Sequence, residues 1–286
     1  MSSGALPSAR ERALRHVAEL APQGPPLDPT LRVTLNFHPD RLFRGRPLLD
    51  ALAEDGIYRS QFVTGTGNGG LTARPGGDRW HWESWIFGAA YDEAPAEERP
   101  VYGALNLRRD PVGAAPRFGS AHFRLAPATS ARTTFCYPDS CDSPADFGVA
   151  ARMGRLVGLA LAGGRDPLDD YVEAQVHGPV RPDRDAEALV LDPCYRGTAV
   201  AAAALRVGCP VEWHPGFRLG VAELLRRPGF RGQACVDVGA RIAVDGVLDP
   251  RIVGDAARTG RHDPQAIKKV WHHLARFGAP VAANAG

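Results

Sequence analysis

The groups most able to do chemistry gather in one short strand-like run. In Tyr171-Val172-Glu173-Ala174-Gln175-Val176-His177 a two-residue period puts Val172, Ala174 and Val176 on one face and Glu173, Gln175 and His177 on the other. A carboxylate, an amide and an imidazole in a row can orient a sugar or an amide. The plainer reading is an exposed sheet face, but such faces are usually Lys, Arg, Thr and Glu. A second cluster is Asn36-Phe37-His38-Pro39-Asp40-Arg41 with Arg44 beyond it, where an imidazole and a guanidinium leave one strand end together. It reads equally as a ligand clamp or as a turn satisfied by Asp40 and stopped by Pro39.

A third cluster, Tyr58-Arg59-Ser60-Gln61, precedes Gly65, Gly67, Gly69 and Gly70, which surround Asn68. Glycines let backbone N–H groups close around an anion, and Arg59 can offer a bidentate phosphate contact. The competing reading is a flexible surface hairpin. We expect the loop 64–77 to be mobile without ligand and to border the main cleft. Thr133-Thr134-Phe135 with Asp139-Ser140 reads as a polar turn after a strand.

Several chemistries are set aside. The glycine loop lacks the Gly-Lys-Ser/Thr ending of a P-loop. No Gly-x-Gly-x-x-Gly sits between strand and helix at the start of a βαβ unit, and there is no Gly-x-Ser-x-Gly elbow. Cys136 and Cys141 bracket Pro138-Asp139-Ser140 without a second pair at zinc spacing. His272 and His273 are adjacent, so one helix cannot aim both at one ion. No metal site is expected. The net charge of +2 without a basic run points to neither a nucleic-acid nor a membrane surface. Five scattered cysteines and no apolar leader read as reduced thiols in a cytoplasmic protein, with export by a non-classical route as the other placement.

The elements that must position these groups follow from pattern. Ser8 to Glu11 is a capping box opening an amphipathic helix with Leu14, Val17, Ala18 and Leu20 inward. Strands are expected at 31–37, 101–107, 118–125, 132–137, 171–177, 186–191, 211–214 and 234–238. Helices are expected between Pro47 and Gly56, over 146–162, 199–207 and 219–226, and from Asp263 through Pro264 to Gly278. Strands mixed with helices, without strict βαβ alternation, give an α+β fold. Residues 1–30 form a helix and linker, and 31–286 one domain. The aromatic patch Trp80, Trp82, Trp85 and Phe87 follows the glycine loop.

The run from Glu173 to Gly178, followed by Leu189-Val190-Leu191-Asp192, resembles the C-terminal catalytic segment of ADP-ribosyltransferases. There a Glu opens a strand that passes through a Gly/Pro turn into a second strand. The resemblance covers about 31–193 and implies a split β-sheet core with flanking helices. It also implies a first strand ending in the Arg or His that holds NAD. Residues 33–41 take that place, with His38 matching the H-Y-E branch and Arg41 or Arg44 the R-S-E branch. For the middle motif, Tyr58-Arg59-Ser60, Tyr102-Gly103 and Phe118-Gly119-Ser120 remain alternatives. The chain is also similar to a bacterial family of unknown function that carries these blocks in this order.

The resemblance implies NAD as substrate and cleavage of its nicotinamide–ribose bond, by transfer or by hydrolysis. Glu173 would stabilise the oxocarbenium, with Gln175 and His38 beside it. Arg59 or Arg41 would neutralise pyrophosphate, and Tyr58 or Tyr102 would stack on nicotinamide. Ser60, Asn68 and Gly69 complete the expected nucleotide site. The acceptor would be a protein or another macromolecule. Tyr171 stands where arginine-modifying members carry Gln or Glu, which argues against arginine as acceptor. Two rivals are kept: a hydrolase or nuclease using His38, Asp40 and His177, and a non-catalytic module anchored by Trp80, Trp82 and Trp85.

Overall fold

Apolar alternation builds the first core strand, Val33–Phe37 (β1), and buries Val33, Leu35 and Phe37. The protein is described from a computed structural model over residues 7–65 and 71–280. The following strands are β2 (Leu42–Phe43), β3 (Arg46–Pro47), β4 (Val101–Leu105), β5 (Ala121–Leu125), β6 (Thr133–Tyr137) and β7 (Asp146–Val149). After them come β8 (Val172–Val176), β9 (Ala186–Leu191), β10 (Val211–Trp213), β11 (Leu219–Gly220) and β12 (Val247–Leu248). Eight of them form one mixed sheet in the order β10-β9-β5-β1-β4-β8-β6-β7, antiparallel except for the β9/β10 pair. With its flanking helices this is an α+β fold, as the pattern predicts.

The sheet is pinched at its middle. β4 pairs with β8 along its whole length, from Val101–Val176 to Leu105–Val172. Between β1 and β4, by contrast, only Val33–Leu105 and Thr34–Ala104 pair, after which the two strands part. Gly103 sits at the pinch, where a Cβ would lie 2.5 Å from both Thr34 O and Leu35 Cδ2, so only glycine fits there.

The alternation rule then sorts the sheet into two faces. Cross-strand pairing places Thr34, Ala104, Glu173 and Cys136 in one row, and Gln175 lies between Tyr102 and Thr134 in the next. The opposite face carries Leu35, Phe37, Leu105, Val172, Ala174, Val176, Phe123 and Phe135 into the main apolar cluster.

The helices in the first half are α1 (Ala9–Leu20), α2 (Leu48–Asp55), α3 (Gln61–Thr64), α4 (Asp78–Ile86) and α5 (Gly154–Ala162). α1 keeps its capping box, but it buries Ala9, Ala13 and Val17 and leaves Leu20 46% exposed. Its stripe is therefore the i, i+4, i+8 row and not the expected one, because Ala13 and Val17 pack with Phe87, Tyr91 and Phe147. Residues 146–162 are not one helix. Asp146–Val149 instead pairs with Tyr137–Thr134 as the sheet's edge, and the helix starts at Gly154.

The second half holds α6 (Pro182–Asp185), α7 (Ala199–Ala204), α8 (Val221–Leu225), α9 (Pro228–Arg231), α10 (Gln233–Ile242), α11 (Pro250–Arg258) and α12 (Pro264–Phe277). The strand expected at 234–238 is instead part of α10, whose buried residues Cys235, Val236, Val238 and Gly239 follow helical spacing. α12 begins and ends where its cap signals place it, with Asp263 accepting from the Gln265 and Ala266 N–H groups. α8, α10, α11 and α12 enclose a second apolar cluster around Val236, Val270 and Leu274. Through Trp271, whose indole N–H donates to the carbonyls of Pro116 and Arg117 at 3.1 Å, α12 docks against the end of β1.

Candidate functional site

β8 brings Glu173 to the floor of a cleft, 5% exposed. Its carboxylate accepts a hydrogen bond from Ser140 Oγ at 2.9 Å and one from Gln175 Nε2 at 3.0 Å. Ser140 in turn accepts from Arg79 Nη1 at 2.7 Å. The Arg79 guanidinium lies 4.1 Å from the centroid of the Tyr102 ring. Burial raises the pKa of Glu173 and Arg79 opposes that rise. For Arg79 burial works against the charge, but Tyr102, Glu173 and Glu83 outweigh it and hold the guanidinium firmly protonated. Arg79, Ser140 and Glu173 thus form a fixed chain that delivers one carboxylate to the cleft.

The cleft follows the parting of β1 and β4. Asn36, Tyr102 and Glu173 line it from one sheet face, and Phe37, Val101 and Gly103 from the other. Its cavity volume is about 170 Å³, below the roughly 300–1,000 Å³ of small-molecule sites.

His38, at the end of β1, lines the cleft with its ring edge on Trp271 at 4.9 Å. Burial holds its pKa well below 6.5, with Arg41 adding to the effect, so the imidazole is neutral at pH 7. Arg41 lines the same wall. Tyr58 contributes a ring packed edge-on to Phe37 and Phe123, and burial raises its hydroxyl to about 12. Arg59 stands on the lining, paired with Asp55 at 2.8 Å. Ser60 also lines the cleft and donates to the Ala96 carbonyl at 2.9 Å. Tyr102 lines it too, but its hydroxyl donates to Glu83 at 2.8 Å and Arg79 occupies a ring face. Asn68 and Gly69 lie outside the described residues.

Other groups are used differently. Gln175 is 1% exposed and does not line the cleft; its amide is spent between Thr134, which donates to it at 2.9 Å, and Glu173. It positions the carboxylate. His177 is sealed between the Tyr91 hydroxyl at 2.8 Å and Thr134 Oγ at 2.9 Å, and burial lowers its pKa to about 3. Asp40 pairs with Arg258 at 3.1 Å. Of the hydrolase trio only His38 reaches the cleft. Trp80, Trp82 and Trp85 do not form one anchor. Trp82 packs on Phe87 and Tyr102, whereas Trp85 is 57% exposed beside Phe147.

The sequence reading missed Arg79 altogether and treated Ser140 as a turn residue. Arg79 carries no local signal, since its partners come from elsewhere in the chain. Ser140 follows β6, and only the pairing of β6 with β8 brings it to Glu173. Among the described residues no group of three His, Cys, Asp or Glu side chains is placed to hold a metal. No helix among them is long and apolar enough to cross a membrane.

The chain belongs to the family described as Protein of unknown function (DUF3626), whose model matches residues 32–163 and 161–276. The matched span includes β1, β4, β8 and α12, and so the whole described cleft. A search of the curated proteins finds no match.

Proposed function

We propose that the cleft binds NAD and that the chain breaks the nicotinamide–ribose bond, passing ADP-ribose to an acceptor or to water. One observation carries this reading. Glu173, His38, Arg41, Tyr58, Arg59, Ser60 and Tyr102, drawn from four separate stretches of chain, line one cleft. These are residues that the ADP-ribosyltransferase resemblance assigns to an NAD site, and the parting of β1 and β4 agrees with the split core it implies.

The chemistry needs one fixed negative charge. As the glycosidic bond breaks, its electron pair leaves with neutral nicotinamide and positive charge develops at the ribose, as in glycoside hydrolysis. Glu173, held by Ser140 and Gln175, faces that charge without having to reorganise. The acceptor adds to the same carbon and releases its proton to solvent. Neutral His38 can hydrogen-bond a ribose or the carboxamide, while Arg41 and Arg59 face the diphosphate. Tyr58 is the better stacking partner for nicotinamide, because Arg79 already covers Tyr102. Tyr171 donates to Asp139 beside Glu173, which favours an acceptor other than arginine.

The test is incubation of the purified chain with NAD and detection of free nicotinamide. Release supports the reading. Stabilisation of the fold by NAD without release would instead make the cleft a binding module.

A further inference from the structure

Next to the cleft, between α12 and the loop before β5, buried nitrogen groups collect without enough acceptors. Arg117 Nη1 reaches Asp169 at 2.6 Å, and Arg231 Nη2 reaches the same carboxylate at 3.0 Å. The Nε atoms of both arginines are buried without a hydrogen-bond partner. His272, 5% exposed, has no partner for either ring nitrogen. Lys268 precedes His272 by one helical turn and so shares its face of α12. It makes no ion pair among the described residues; burial and then Arg117 disfavour its charge, Cys141 favours it, and Arg41 and Arg231 again disfavour it. Asp139 also lies here, 4.0 Å from Arg117 and bonded to Tyr171.

Such a cluster is unusual, since native interiors leave few buried polar groups unpaired and each asks for an explanation. His273, the neighbouring residue, is also unpartnered but is enclosed by the rings of Phe230 and Phe277. At His272 burial, then Arg231, Arg117, Lys268 and His273, lower the pKa to about 3. A compact anion with several acceptor oxygens would supply partners for these groups.

We propose that Arg117, Arg231, Lys268 and His272 form a binding site for a phosphate or diphosphate group, beside His38 and Asp139 of the cleft lining. Guanidinium groups suit its planar oxygen pairs, Lys268 adds a point charge, and neutral His272 donates one N–H. Trp271 fixes the site to the cleft, because it holds the Arg117 backbone and packs on His38. As an extension of the Arg41 diphosphate contacts toward α12 the site rests on the NAD reading, but inorganic anions test it separately.

The experiment is titration calorimetry of the full chain with inorganic phosphate and with pyrophosphate, for the wild type, Lys268→Met and Lys268→Arg. Saturable binding by the wild type is expected, weakened about 10- to 100-fold in Lys268→Met, as for loss of a charged hydrogen bond, and largely retained in Lys268→Arg. No binding of either anion to the folded wild type would overturn the proposal, as would equal binding by Lys268→Met. Adding NAD separates the sources. Displacement of pyrophosphate assigns the site to the dinucleotide, and simultaneous binding assigns it to a second phosphorylated ligand. Pyrophosphate binding with no NAD binding would keep the site and sink the NAD reading.

Discussion

Glu173 and His177 stand four residues apart on the same face of β8, yet their surroundings differ in kind. Glu173 lines a cleft, with Oε1 held by Gln175 and Oε2 by Ser140 and 5% of the residue left exposed. His177 is fully buried, with both ring nitrogens taken by Tyr91 and Thr134. Alternation along a strand tells which side chains share a face. It does not tell how each part of that face is covered, because Phe87 and Tyr91 in the turn after α4 close over the His177 end, while α4 itself sends Arg79 to Ser140 at the other. One end of the strand meets a cleft and the other is sealed in the core.

Substitutions can break that contrast. The largest effect is expected from Glu173→Gln, which keeps size and hydrogen bonding but removes the charge; turnover of NAD should fall about 10²- to 10³-fold. His177→Ala should cost about 2–4 kcal/mol of stability, since it leaves a cavity and an unpaired buried Tyr91 hydroxyl, while Thr134 keeps its bond to Gln175. Denaturant unfolding would measure it, and an unchanged midpoint would show that the sealed end is not structural. Ser140→Ala removes the link between Arg79 and Glu173 and should lower kcat about tenfold with little change in KM. A rise in KM alone would make Ser140 a binding residue instead. The smallest effect is expected from Arg59→Ala, a lining arginine already paired with Asp55. It should weaken NAD affinity by about 1 kcal/mol, less at high salt.

The sequence made one kind of feature legible and hid another. α12 could be placed to the residue because its signals are local, with an Asp cap, Pro264 at the first turn and Gly278 at the stop. β1 and β8 were equally readable from alternation, and with them came His38 and Glu173 as candidates. α10 was misread because Val236 and Val238 alternate as in a strand, and only the burial of Cys235 and Gly239 beside them reveals the helix. β7 disappeared into a helical pattern because four residues are too few to show a period. Arg79 and Ser140 were invisible as site residues for a different reason. Their roles arise from strand pairing and from a helix laid over the sheet, contacts that span more than thirty positions of chain.

The central claim is that the cleft carboxylate acts on charge that appears only as the glycosidic bond breaks. The most direct measurement pairs nicotinamide release with NAD affinity in the wild type and in Glu173→Gln. The account predicts release by the wild type, and a variant that binds NAD within a few-fold of the wild type while releasing nicotinamide at least about a hundredfold more slowly. Full turnover by the variant would contradict it, and would leave Glu173 as a buried acid whose hydrogen bonds serve only the fold.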